Sequence, residues 1–308
     1  MTNSENYIFL TYLSNDRDYK GALALNYMIK KHKSKYKLAC IILENVTDDV
    51  INILQQNNII LYKYSLTETL KLFNYEQHFI DYLISKNYYG KLLMYELSIH
   101  DKIIYLDTDL LIRNNIDHLF LKDCSENKCY MTFDTEYNSE NHDILLRNNI
   151  FNSGVIIFKP DKNICHKSFL YLKINYENNI NALKTDQDIF QIMNDNNDIN
   201  VQHLEYKYNC PGMVSNYFMQ NNFLEEIIII HFTLSPKPWY FTDFNNNILI
   251  TKYYSDFKIY LIEWWEIYNE MGMAIIIDSF NNNIYADIND TYLISNSGYK
   301  KIDNEYKI

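Results

Sequence analysis

Apolar residues come in short runs along this chain, separated by amphipathic stretches of helical period. Tyr7 to Leu13 is a continuous apolar run closed by Ser14-Asn15-Asp16, a turn of residues that also cap helices. Gly21 to His32 carries the helical period, Leu38 to Leu43 is a second apolar run, Asp48 to Gln56 a second helical stretch and Ile59 to Tyr64 a third run. Continuous runs predict strands covered on both faces, and their alternation with helices predicts a parallel, doubly wound α/β sheet. Gln77 to His100 reads as largely helical and leads, through Lys91, into Lys102 to Ile112, an apolar run interrupted only by Asp107-Thr108-Asp109.

Beyond this run the pattern weakens. A strand is predicted at Tyr130 to Phe133, followed by a polar loop, and Asn152-Ser153-Gly154 reads as a turn entering an apolar strand at Val155 to Phe158. Helices are predicted at Asn163 to Tyr176, Asp186 to Asn194 and Phe257 to Tyr268, and strands at Val201 to Leu204 and Ile227 to Phe232. Short β-like pieces at Ala274 to Ile277, Ile284 to Ile288 and Tyr292 to Ile294 predict a small C-terminal β addition. With no repeat and no Pro- or Gly-rich linker, residues 1–270 are expected to form one domain, with 271–308 an extension packed on it.

The charge balance narrows the partners. Lys+Arg 28 against Asp+Glu 39 gives 28 − 39 = -11, and arginine occurs only at 17, 113 and 147. Nucleic-acid binding needs basic surface and is not expected. A phosphate-bearing small molecule remains compatible if a cation supplies the positive charge. The six glycines form neither of the common phosphate-cradling motifs, so a bound nucleotide would depend on a metal and on side-chain cations. Five cysteines without a Cys-X-X-Cys pair suggest neither a disulfide framework nor a zinc site. No apolar run approaches the roughly 20 residues of a membrane helix. The start Met-Thr-Asn-Ser leads into a strand without a signal-peptide pattern, so a cytoplasmic location is expected.

Four groups of residues could carry chemistry, and each also has a purely structural explanation. Asp107-Thr108-Asp109 ends a strand of the kind whose carboxyl end binds ligands, and two carboxylates there suit a divalent cation; Asp is also a common turn residue. Asn152-Ser153-Gly154 offers an amide and a close backbone approach, or a simple turn. Thr185-Asp186-Gln187-Asp188 presents polar groups, or caps a helix. His231 at a strand end, followed by Lys237-Pro238-Trp239, offers a metal ligand and a phosphate-binding charge, or a satisfied histidine and an aromatic plug.

The four groups in this order, from Phe9 to Tyr268, resemble the family 8 glycosyltransferases, glycogenin-type members most closely. Thr11, Ser14, Asn15 and Asp16 before Lys20-Gly21-Ala22-Leu23, Lys91 ahead of the Asp-X-Asp strand, Asn114 to Phe120 after it, Tyr208-Asn209 and Trp264-Trp265 all fall at family positions. The resemblance implies a GT-A-type, Rossmann-like fold and a UDP-sugar donor held through Mn²⁺, with retention of anomeric configuration. It implies that Asp107, Asp109 and His231 bind the metal, with Thr108 between the acids. Asn152, Ser153, Asp186 and Gln187 would face the donor sugar, Lys91 and Lys237 would serve the sugar or diphosphate, and Thr11, Ser14 and Asn15 would lie near the uridine. Asp186, Gln187 and Lys237 are the implied catalytic groups.

By the same resemblance UDP-glucose is the first choice of donor and UDP-galactose the second. The acceptor is a glycan, another protein, or the chain's own Tyr217, in the segment Cys210 to Glu226, and the chain is expected to act as a homodimer. Four features depart from the family pattern. Asp18 stands where a tyrosine stacks near uracil, the family's arginine upstream of the Lys91 position has no counterpart, Leu234 replaces the glycine of His-Phe-X-Gly, and Leu183 replaces an acidic residue. These departures keep open a binding module without turnover. The dehalogenase-type phosphatases, which also carry Asp-X-Asp, are excluded: their motif lies near the amino terminus and has Thr or Val where this chain has Leu111.

Overall fold

The computed structural model describes residues 6–138, 143–178, 185–220, 226–233, 237–240, 258–271, 292–295 and 298–301. The amino-terminal half follows the alternation of the sequence: β1 (Tyr7–Leu13), α1 (Tyr19–Lys31), β2 (Leu38–Ile42), α2 (Asp48–Gln56), β3 (Ile60–Lys63), α3 (Leu66–Leu72) and α4 (Gln77–Ser85). Local signals set several boundaries. Thr47 starts α2 by accepting from the Val50 N–H, and Ser65 does the same for α3 with Glu68. The long helix expected over Gln77 to His100 is instead α4 followed by a ten-residue 3-10 helix, Asn87–Glu96. That tighter segment buries Lys91, Leu92, Leu93 and Met94 together, which a one-sided α-helix would not do.

Strand β4 (Lys102–Leu106) ends at Asp107, and β5 (Leu110–Ile112) begins after Asp109. The chain continues through β6 (Lys128–Asn138), β7 (Asp143–Phe158), α5 (Lys162–Glu177), α6 (Asp186–Asp195), β8 (Asn200–His203), β9 (Cys210–Pro211), α7 (Gly212–Gln220), β10 (Ile229–His231) and α8 (Lys258–Glu270). A two-stranded antiparallel hairpin, β11 (Tyr292–Ser295) with β12 (Gly298–Lys301), follows. It includes the expected strand at Tyr292, whereas the pieces at Ala274 to Ile277 and Ile284 to Ile288 lie outside the described residues.

Seven strands form the central sheet in the order β3-β2-β1-β4-β7-β6-β8. The expected parallel pairing holds for β3, β2, β1 and β4; β7 then pairs antiparallel with β4 and with β6, so the sheet is mixed. The weak region after Leu121 is the cause: it forms the long β6–β7 pairing, and Asn152-Ser153-Gly154 lies inside β7 rather than in a turn before it. Side chains alternate across the sheet. Phe9, Ile104 and Leu106 pack with α1, α2, α7 and α8 on one face, while Ile8, Leu10, Ile103 and Tyr105 pack with α3 to α6 on the other. The order 2-1-4 puts a crevice between the carboxyl ends of β1 and β4, where a doubly wound sheet binds its ligand. No helix among the described residues is long and apolar enough to cross a membrane. All five cysteines are buried and free.

Candidate active site

A second, three-stranded sheet in the order β5-β10-β9 assembles the polar centre. In it His231 pairs with Leu110, the residue after Asp109, on one side and with Pro211 on the other. The Phe232 N–H donates to the Asp109 carbonyl at 2.9 Å, and the Asp107 N–H donates to the Gly154 carbonyl at 2.8 Å. Backbone pairing therefore places Asp107, Asp109 and His231 together, with one ligand atom from each within 4.8 Å of the others. His231 Nε2 lies 3.3 Å from Asp109 Oδ1 and 3.9 Å from Asp107 Oδ2. Two carboxylates and an imidazole at this spacing fit a divalent cation. Gly154 is required here for space, because a Cβ on it would run into the His231 ring.

Two lysines balance the acids. Lys91 is buried and lies 3.1 Å from Asp107 Oδ1 and 3.0 Å from Asp186 Oδ2, and it donates to the Ser153 carbonyl at 2.7 Å. Burial alone would lower its pKa, but Asp107 and Asp186 outweigh burial and raise it. Ser153 Oγ donates to Asp186 Oδ2 at 2.7 Å, and the Ser153 N–H donates to Gln187 Oε1 at 3.4 Å. On the other side Lys237 donates to Asp109 Oδ2 at 2.6 Å and to the Phe232 carbonyl at 2.9 Å. Burial acts to raise the Asp109 carboxyl, but Lys237 and His231 prevail and hold it well below the usual carboxylate range. Lys237 is held by the turn it begins: Trp265 Nε1 on α8 donates to the Pro238 carbonyl at 2.9 Å, and Trp239 is buried against Trp264.

Most of the expected residues thus meet. Asp107, Asp109, Asn152, Ser153, Asp186, Gln187, Lys91, His231 and Lys237 form one connected network, and Thr108 lies between the acids with its carbonyl against α1 at Gly21. The N-cap reading of Thr185 is also satisfied, since Asp188 accepts from the Thr185 N–H at 2.9 Å and leaves Asp186 to face Lys91. Ser14 and Asn15 sit at the carboxyl end of β1, where Asn15 accepts from the Arg17 N–H at 2.8 Å. Thr11 does not join them: its side chain is enclosed within β1, and its hydroxyl has no hydrogen-bond partner. Leu183 and Leu234 lie outside the described residues. Tyr217 falls within α7.

Three contributors have no role in the site expected from the sequence. Tyr105 donates to Asp107 Oδ1 at 2.8 Å and has the Lys91 ammonium over its ring at 4.4 Å. Its place two residues before Asp107, on the same side of the strand, is a signal that the apolar run conceals. Asn209 contacts His231 and Asn152 directly. Asp18, read only as a departure, feels the charges of Asp109, Lys237 and Asp107.

A mixed α/β sheet carrying an Asp-X-Asp site beside its crevice defines the chain as a GT-A-type glycosyltransferase, of the UDP-sugar-dependent class. The profile described as Glycosyl transferase family 8 matches residues 2–243, more than half of the chain, and the protein belongs to that family. Galactinol synthase 2 of Arabidopsis thaliana is 25% identical over 297 residues, covering 88% of this chain and 84% of the relative. The uncharacterized protein R707 of Acanthamoeba polyphaga mimivirus is 24% identical over 286 residues, covering 90% and 98% respectively. In fold the chain is similar to the galactosyltransferase LgtC, solved with donor and acceptor sugar analogues, with a TM-score of 0.58 at 16% identity over 85% of this chain and 96% of that one. The glycosyltransferase GlyE of Streptococcus pneumoniae TIGR4 gives a TM-score of 0.51 at 19% identity over 86% of this chain and 63% of that one.

Proposed function

We propose that the protein transfers a hexose, galactose in the first instance, from a UDP-sugar to a hydroxyl of a separate small acceptor, with Mn²⁺ or a similar cation at Asp107, Asp109 and His231. The observation that carries this reading is that donor set, at the crevice of a family 8 chain without a glycine-rich phosphate cradle. The galactinol synthases among its relatives favour galactose over the glucose suggested by the glycogenin-type resemblance, and favour a foreign acceptor over Tyr217.

A cation bound there supplies charge stabilisation for the UDP leaving group. Lys237, 2.6 Å from Asp109, would add a second positive charge as the diphosphate departs. Asp186 and Gln187 start α6 beside Ser153 and would orient the sugar, while Lys91 holds Asp186 and Asp107 in a common position rather than facing the donor itself.

The test is UDP release from UDP-galactose and UDP-glucose with Mn²⁺, repeated after EDTA. Faster release from UDP-galactose, abolished by EDTA and reduced on the order of a hundredfold in Asp109→Asn, is expected. No release and no thermal shift with any UDP-sugar would sink the proposal. A second reading, self-glucosylation, keeps one support, the position of Tyr217 between β9 and β10. Intact mass after incubation with UDP-glucose decides it: a hexose ladder absent in Tyr217→Phe would establish the tyrosine as acceptor.

A further inference from the structure

We propose that Asn209 is a positioning residue that sets the tautomer of His231, and that the fixed point of this control is the backbone N–H of Gly154. A backbone N–H can only donate. The Gly154 N–H meets Asn152 Oδ1 at 3.0 Å, which fixes the Asn152 amide with its oxygen on that side. The same Asn152 oxygen lies 2.8 Å from Asn209 Nδ2, so Asn209 must turn its NH₂ toward Asn152 and its carbonyl oxygen away. That oxygen lies 2.9 Å from His231 Nδ1. The imidazole must therefore carry a proton on Nδ1, and in the neutral ring Nε2 has the lone pair. Nε2 is the atom that faces Asp109 and Asp107 at 3.3 Å and 3.9 Å.

Every alternative to a proton on Nδ1 leaves like groups in contact within the relay. The one acceptor–acceptor contact of the neutral Nδ1-protonated ring, Nε2 against Asp109 Oδ1, is one that a cation between them would relieve. With the proton on Nε2 alone, the Nδ1 lone pair would face the Asn209 oxygen. Turning Asn209 over would set its oxygen against that of Asn152, and turning Asn152 over would abandon the Gly154 N–H. Asn209 is 1% exposed and Asn152 6%, so water does not relieve these mismatches. Thr132 Oγ1, 2.9 Å from Asn209 Nδ2, is a hydroxyl that can accept or donate and so does not decide the orientation. The relay gives Asn152 a role within the protein in addition to any contact with the donor. Tyr208-Asn209 directly precedes β9, whose parallel register with β10 pairs His231 with Pro211, so that the Asn209 side chain, two residues back, reaches the His231 ring. An imidazole whose other nitrogen is held by a fixed acceptor is oriented and made more basic as a ligand.

The consequence for metal affinity rests on the cation site proposed above; the tautomer itself does not. The whole chain, labelled with ¹⁵N-histidine and free of metal, is examined by long-range ¹H–¹⁵N correlation at alkaline pH, where imidazole is neutral. The signal that disappears in His231→Gln assigns the ring. A protonated Nδ1 and an unprotonated Nε2 are expected; protonation on Nε2 alone overturns the proposal. Asn209→Leu removes the acceptor and is expected to shift the proton toward Nε2 and to weaken Mn²⁺ binding, measured calorimetrically with UDP present, by about tenfold to a hundredfold. Asn209→Asp keeps an acceptor for the Nδ1 proton and is expected to retain the wild-type tautomer. An Asn209→Leu variant with unchanged tautomer and Mn²⁺ affinity also overturns the proposal. If that variant fails to fold, the wild-type spectrum and Asn209→Asp decide. A protonated Nδ1 in a chain that binds no Mn²⁺ would uphold the relay and reject the cation site instead.

Discussion

Lys91 is the residue on which the two halves of the site depend, because its single charge lies between Asp107, just after β4, and Asp186 on α6. Removing a partner from a buried ion pair leaves charge without compensation. Lys91→Met is therefore expected to cost about 3–5 kcal/mol of stability in urea unfolding, and to lower turnover further by releasing Asp186 from the position proposed to orient the sugar. A variant as stable as the wild type would show that Lys91 is not the clamp. Asp18 presents the opposite balance. Burial and the charge of Asp109 push its carboxyl up to about 6, against the pull of Lys237 and Arg17. In the unfolded chain it ionises at the ordinary 3.8, so between these values the folded state holds more protons. By linkage its contribution to stability is complete below pH 3.8 and is lost as the pH rises through about 6. Asp18→Asn is expected to melt like the wild type in acid and progressively above it as the metal-free proteins are taken across this window. Parallel melting curves throughout would place Asp18 in an ordinary solvated setting.

At the scale of elements, the three-stranded sheet matters more than its size suggests. Strands β5, β10 and β9 contribute only three, three and two residues, yet by pairing His231 with Leu110 and Pro211 they bring Asp109 and Asn209, just before two of the strands, to the His231 ring from three separate parts of the chain. Helix α1 buttresses this assembly. An added Cβ at Gly21 would lie 2.5 Å from the Thr108 carbonyl and 2.8 Å from the Trp239 ring, so the helix touches both the Asp-X-Asp turn and the turn begun by Lys237. Gly21→Ala is expected to cost about 1–3 kcal/mol through overpacking and to weaken metal-dependent UDP binding as both turns shift. Thermal melting together with calorimetry checks this, and unchanged UDP affinity would mean that the turns are held without α1. The Asn-Ser-Gly segment shows how an element can be misread from its residues. Its polar side chains look like a turn, but they sit within β7, where Asn209, Lys91 and Asp186 satisfy them.

For the whole molecule, the net charge of -11 and the four-strand parallel core were consequences of composition and period. The apolar run before Asp107 could only be a strand covered on both faces, since successive side chains at Ile103 to Leu106 must enter two different cores. The Asp-X-Asp pair was legible because a strand end in such a sheet is where ligands gather, and His231 and Lys237 because they follow another strand within a few residues. Other features depended on contacts between residues far apart in the chain. The antiparallel turn of the sheet at β7 arises from pairing with β4 and β6, which no local period encodes. Whether a lysine faces a ligand or clamps two carboxylates depends on distances across 16 residues for Lys91 and Asp107 and 128 for Lys237 and Asp109. The sequence by itself determined which residues were chemically able to build the site, through hydrophobic period and residue type. Only the tertiary structure decided which of their atoms meet, because hydrogen-bond direction and charge balance exist only between groups that the fold has brought together.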